Sequence, residues 1–254
     1  MLAILLIKGL LAAIIVGFVT ASIQSWVDRF FLVILLVSML GMPIKDAITT
    51  NLIVVSLAAL MMALRQTEIL RSVRQDWGMI VIPAVIGAIL GRALVLDLSP
   101  TVLLAALGVY ALLAGLRLAL IKPLPEKETN PHPAWLVPVS FGAALLTGLL
   151  SAGGKVFQVP LYNLALGRHP KQAYALASLG VSVAAPVALA SQVSMGFMLS
   201  ANQILMASYL FIVIVGTALI VQRFWTPRLN QWVTWVIAPI LVLVGIRFLW
   251  MVFL

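Results

Sequence analysis

"LLSAGGKVFQVP" (149–160) breaks an apolar run with two glycines, a lysine, a glutamine and a proline. Its surroundings decide what those residues are. Of 254 residues, 63% are hydrophobic and 9% charged, and the mean hydropathy is +1.17. A soluble domain carries roughly 25% charged residues. Apolar runs near the ~20 residues that span a ~30 Å hydrocarbon core recur along the whole chain. The expected fold class is therefore an all-α polytopic membrane protein, with a breaker and a cation set inside it.

The net charge is +9. Its Lys and Arg residues fall mostly at the ends of apolar segments, where they set orientation, so the partner they imply is the lipid bilayer rather than nucleic acid. With no cysteine in the chain, disulfides and thiolate metal sites are excluded. The two histidines, His132 and His169, lie in polar loops, and the seven Asp and Glu residues fall almost all in loops or at segment ends. There is no P-loop, no H-E-x-x-H and no G-x-S-x-G. An enzyme, a metal centre and a cofactor are not expected. The first apolar stretch, ending near "VTAS", looks like a signal peptide but is read as a retained helix.

Outward from the quoted stretch, about ten segments follow: 2–24, a short 29–40, 46–64, 78–97 and 101–121; then 135–151, a short 155–166, 172–192, 204–222 and 231–253. The polar linker "KPLPEKETNPHP" (122–133) separates two sets of five, giving an N-terminal repeat over 1–121, a linker over 122–134 and a C-terminal repeat over 135–254. At an offset of 126, "DRFFLVILLVSMLGMPIKDA" (28–47) aligns with "GKVFQVPLYNLALGRHPKQA" (154–173). Arg29 then falls on Lys155, Phe31 on Phe157, Gly41 on Gly167 and Lys45 on Lys171.

The Lys- and Arg-bearing loops 65–77, 122–134, 167–171 and 222–230 are expected to be cytoplasmic, and 97–100 and 193–202 outside. If every segment crosses once, both termini lie outside and the halves, having odd numbers of crossings, are inverted. Lys45 is the misfit, in an outer loop beside Asp46. The membrane would be the cell's inner or plasma membrane. Inverted repeats with short or broken segments in matching places point to a secondary transporter whose site lies between those segments. Segments 29–40 and 155–166 form that pair. At about 12 residues, or ~18 Å of helix, each is too short to cross alone, and whether they cross or re-enter stays open.

An anion site is the expectation for the quoted turn. Gly153 and Gly154 let the chain reverse, a helix opens near Lys155, and its first N–H groups and the ammonium are all positive. Ser151 and Gln158 flank it. Gln24, Ser25 and Arg29 hold the matching place in the first half, with Asp28 a candidate for coupling to H⁺ or Na⁺. Thr49, Thr50, Asn51 and Ser178 would complete an oxyanion's hydrogen-bond shell. The plain alternative for Lys155 and Arg29 is snorkelling to headgroups. Snorkelling is the expectation for Arg92, Arg117, Arg247 and Lys8. The pair Gly87 and Gly91 favours close helix packing and says little about a homodimer, which the sequence allows without requiring.

The segment "TGLLSAGGKVFQVPLYNLALGRHPKQAYALAS" (147–178) resembles the TauE/SafE family of sulfite and organosulfonate exporters. The resemblance covers nearly the whole chain: in each half a helix, a glycine-rich turn, a short helix and an "A…S/T" helix. The first half, "GFVTASIQSWVDRFFLVILLVSMLGMPIKDAITTN" (17–51), has Trp26-Val27-Asp28 where glycines are expected. The resemblance implies transport of a small sulfur-containing anion such as sulfite, thiosulfate or an organosulfonate, without an ATP site. Two rivals remain open: a drug/metabolite-type transporter of neutral or cationic solutes, which the charges at 29 and 155 disfavour, and a non-transporting anchoring or assembly subunit.

Overall fold

A computed structural model describes residues 2–22, 30–120, 133–152, 154–165, 167 and 169–253. No strand occurs among them. The helices are α1 (Leu2–Ser22), α2 (Phe30–Ser38), α3 (Ile44–Arg65), α4 (Thr67–Ser72), α5 (Trp77–Asp97), α6 (Pro100–Leu120), α7 (Leu136–Leu150), α8 (Lys155–Pro160), α9 (Pro170–Ser194), α10 (Ala201–Gln222) and α11 (Pro227–Phe253). Seven helical stretches are long and apolar enough to cross a membrane: Ile44–Arg65, Arg74–Asp97, Pro100–Leu120, Pro133–Leu150, Pro170–Ser194, Ala201–Gln222 and Pro227–Val252. In α1 the qualifying apolar stretch, Leu6–Ala21, is shorter.

Among the described residues the two short segments fall where they were expected, within 29–40 and 155–166. α2 has 9 residues, about 14 Å of helix. Its sequence FFLVILLVS is apolar all round, and Phe30, Phe31, Leu32, Val33, Ile34 and Leu36 are buried, as such a helix requires. α8 has 6 residues and passes into a π-turn over Leu161–Ala165. Pro160 explains the change, because it has no N–H for the carbonyl four residues back and its ring crowds that carbonyl. Both segments end at a glycine in the left-handed region, Gly41 at φ +67° and Gly167 at φ +66°. Next come the N-caps of α3 and α9, Pro43 (φ −53°, ψ 139°) and His169 (φ −56°, ψ 139°).

Helix pairing sets the interior. α5 packs on α7 and α9, α10 packs on α1 and α3, α6 pairs with α11, and α3 crosses α9. The α5–α7 contact rests on glycine from both sides. A Cβ on Gly91 of α5 would collide with the Leu145 carbonyl of α7, and one on Gly148 of α7 with the Ala88 carbonyl of α5. The G-x-x-x-G of α5 thus serves packing within the chain. α3 lies inside the bundle, with 67% of its apolar window buried, against 17% for α10.

Residues 65–77, expected as a loop, carry helical structure. They fold into α4 and a 3₁₀ turn, Arg74–Asp76, with Leu70 buried and its carbonyl accepting a 3.1 Å bond from Trp77 Nε1. Lys45 also finds its reason. Its ammonium donates to the Leu96 carbonyl at 2.8 Å, near the C-terminal end of α5, where free carbonyls favour a cation. Beside it, Asp46 Oδ1 accepts from Gln203 Nε2 at 3.0 Å, joining α3 to α10. Linker residues 121–132 lie outside the described part.

Candidate functional site: two buried cations on the α3–α9 crossing

α7 stops at Leu150 because Ser151 turns left-handed, with φ 55° and ψ 28°. A non-glycine residue in this region costs about 1–2 kcal/mol. Asn51 of α3 holds it there: Nδ2 donates to the Ser151 carbonyl at 3.1 Å and to its Oγ at 2.9 Å. Both residues are fully buried. Tyr110 of α6 donates to the Ala152 carbonyl at 3.1 Å. Gly154, at φ +67°, caps α8 and lies so close to Ala143 that a side chain would not fit. The amides of Phe157 and Gln158 bond back to the Gly154 carbonyl. With only 6 residues, α8 offers little helix dipole, so the charge at this turn is chiefly that of Lys155.

Lys155 does not snorkel. It is 5% exposed, donates to Ser178 Oγ at 3.1 Å, and its Nζ lies 5.1 Å from the centre of the Tyr174 ring, within cation–π range. The Ser178 hydroxyl in turn donates to the Tyr174 carbonyl at 2.9 Å. One turn along α8, Gln158 donates to Tyr162 Oη at 3.2 Å, and Tyr162 shares a 2.7 Å hydrogen bond with Ser140. Gln158 Oε1 has no hydrogen-bond partner among the described residues. A mostly apolar cavity of about 320 Å³ between α7 and α8 is lined by Gln158, Gly142, Ala143, Leu146 and Phe157.

Both short segments touch one tyrosine of α6. The Tyr110 ring lies edge-on to Phe30, the first residue of α2, at 4.8 Å, and to Phe157 of α8 at 5.5 Å. Of the first-half candidates, Gln24, Ser25, Asp28 and Arg29 lie outside the described residues, as does Gly153.

The α3 hydroxyls divide. Thr50 Oγ1 and Asn51 Oδ1 are buried without a hydrogen-bond partner among the described residues. Thr49 belongs to a second cluster. It donates to the Lys45 carbonyl at 2.9 Å and accepts from Arg92 Nη2 at 2.6 Å. The expectation that Arg92 snorkels is corrected here. It is 1% exposed, and Nη2 also donates to Gln192 Oε1 of α9. Arg92 can stay inside because Gly91 and Gly148 bring α5 and α7 together while α3 and α9 supply oxygens. Arg247 and Lys8 are exposed, in keeping with snorkelling, and Arg117 is half-buried.

The structure therefore brings Lys155, Ser178, Tyr174 and Gln158 together, and Asn51 with Ser151. It sets Thr49 apart with Arg92 and Gln192. Ser178 and Gln192 are 14 positions apart on α9, roughly 21 Å. Arg92, Gln192, Tyr110 and Tyr162 were missed from sequence. The available signal for Arg92 was a cation one residue after G-x-x-x-G, a spacing that brings a neighbouring helix over it.

Among the described residues, no three His, Cys, Asp or Glu side chains are grouped to hold a metal ion. No curated protein and no solved structure matches the chain. The family profile described as Sulfite exporter TauE/SafE matches residues 13–248, nearly the whole span over which the helices pair. This multi-pass, all-helical membrane protein belongs to the TauE/SafE sulfite exporter family.

Proposed function

We propose that the protein carries a small sulfur-containing anion, such as sulfite, thiosulfate or an organosulfonate, across the cell's inner or plasma membrane, with Lys155 as the principal cation of the central site. The observation that carries this is a lysine 5% exposed inside a membrane protein, at a turn where two segments too short to cross meet on one tyrosine. An ionisable side chain in such a place is costly and marks a substrate path by default. Ser178, Gln158 and Asn51 are the neutral groups near that turn able to bond an oxyanion. Arg29, Gln24 and Ser25 are the first-half counterparts of this site, and Asp28 would be the coupling group for H⁺ or Na⁺ if the protein worked in the uptake direction.

Inverted five-segment repeats, 1–121 and 135–254, are part of the proposal. The matched backbone of Gly41 with Gly167 and of Pro43 with His169 supports them. So does the pairing, in which α5 with α7 and α9 mirrors α10 with α1 and α3. One half would rock against the other around Lys155, with both termini outside. A monovalent anion leaving an inside-negative cell gains about 2.3 kcal/mol per 100 mV, so export needs no coupled ion.

The test is efflux of sulfite from loaded proteoliposomes under an imposed potential. Efflux that speeds up with inside-negative potential, at equal pH and Na⁺ on both sides, is the expected result. Transport that runs only when a pH or Na⁺ gradient is imposed would remove the uniport.

A further inference from the structure

We propose that Arg92 forms a second anion subsite, at the opposite end of α9 from Lys155, which binds the oxygens of the transported sulfur oxyanion or sulfonate; this rests on the anion-carrier function above. The Arg92 guanidinium is 1% exposed. Among the described residues its side chain bonds only two neutral groups, Thr49 and Gln192, both through Nη2. Nε and Nη1 are buried and have no hydrogen-bond partner among the described residues. A guanidinium always carries its charge, and burying it against neutral partners costs free energy that an opposite charge would recover. Three N–H groups are left for that charge.

Packing alone does not call for this cation. At the offset of 126, Arg92 falls on Ala218 and Gln192 on Gln66. Around Ala218, the helices α1, α3 and α10 enclose a cavity of about 200 Å³ lined by Thr20, Gln66, Ala218 and Gln222 among others. Gln66 Oε1 has no hydrogen-bond partner among the described residues there. The related junction thus folds with an alanine at the matching position and a cavity whose one lining cation among the described residues, Arg65, is exposed, where α5, α7 and α9 hold a buried arginine. Arg92 bonds α3 and α9 at once through Nη2, so an anion held on Nε and Nη1 would add to the Thr49 and Gln192 bonds and join that end of α3 and α9 more firmly. Lys155, held by Ser178 further along the same helix, would exchange the anion with it.

The experiment titrates sulfite into the detergent-purified full chain at fixed ionic strength, comparing wild type with Arg92→Met, Arg92→Lys and Lys155→Met. Size-exclusion profiles and melting temperatures without anion check the fold. Arg92→Met is expected to weaken sulfite binding about tenfold or more, with partial recovery in Arg92→Lys. Wild-type affinity in a folded Arg92→Met, together with a loss in Lys155→Met, overturns the Arg92 subsite and leaves the carrier function standing. A loss in Arg92→Met with none in Lys155→Met supports the subsite and removes Lys155 from the central role. No sulfite response in the wild type overturns both. If Arg92→Met does not fold, Arg92→Lys decides: reduced affinity supports the subsite and unchanged affinity overturns it.

Discussion

Lys155 and Arg92 are both buried cations touching α9, yet the chain builds their surroundings in opposite ways. Lys155 stands at a broken backbone, after a left-handed serine, glycine and a turn clamped from α3. Arg92 sits within an unbroken helix, and its burial comes from what packs on that helix. Each bonds a hydroxyl whose own proton goes to the carbonyl one turn back, Ser178 to Tyr174 and Thr49 to Lys45. The difference teaches that a cation can be placed in a membrane interior by local chain reversal or by close helix approach, and that the second leaves the fainter mark in the nearby sequence, here a glycine pair just before the arginine.

The largest effect should come from removing the ground the two clusters share. Gly91→Leu sets a side chain into the backbone of α7, which leads both to the 151–154 turn and across Arg92. Overpacking costs about 1–3 kcal/mol in a core that can adjust. Here the obstacle is a carbonyl, so loss of a monodisperse peak on size exclusion is expected; a stable, monodisperse Gly91→Leu would show that α5 and α7 are not in close contact.

A smaller effect sharpens the comparison by touching one cluster alone. Asn51→Ala leaves the Ser151 hydroxyl and carbonyl without their buried donor, a loss of about 1–3 kcal/mol, and should lower the melting temperature. Ser151→Gly loses one hydrogen bond but relieves about 1–2 kcal/mol of left-handed strain. Its melting temperature should therefore stay closer to wild type than that of Asn51→Ala. The reverse order would mean that the clamp does not hold the turn.

Much of the frame was legible because hydropathy and helix breakers are local. The segments expected at 46–64 and 78–97 are Ile44–Arg65 and Trp77–Asp97, and Pro160 and the glycines marked the short helix. Hydropathy reports partition from water, though, not whether the partner is lipid or protein. Arg92, a few residues from the end of α5, has the same sequence pattern whether it reaches for headgroups or bonds Thr49 and Gln192. α4 was missed because its six residues are mostly polar, and only Ile69 and Leu70 pack inward. For Lys155 the chain reversal itself argued for an interior position. Its partner Ser178 was named from the matching place on α9, while Tyr174 and Tyr162 gave no local sign.

The most direct measurement of the central claim is sulfite affinity by isothermal titration calorimetry for wild type, Lys155→Met and Lys155→Arg, each shown to be folded. Removing a buried charged donor to an anion should weaken binding roughly a hundredfold, about 2.7 kcal/mol, with partial rescue by arginine. Unchanged affinity in folded Lys155→Met would contradict the account, because the anion would then be held elsewhere.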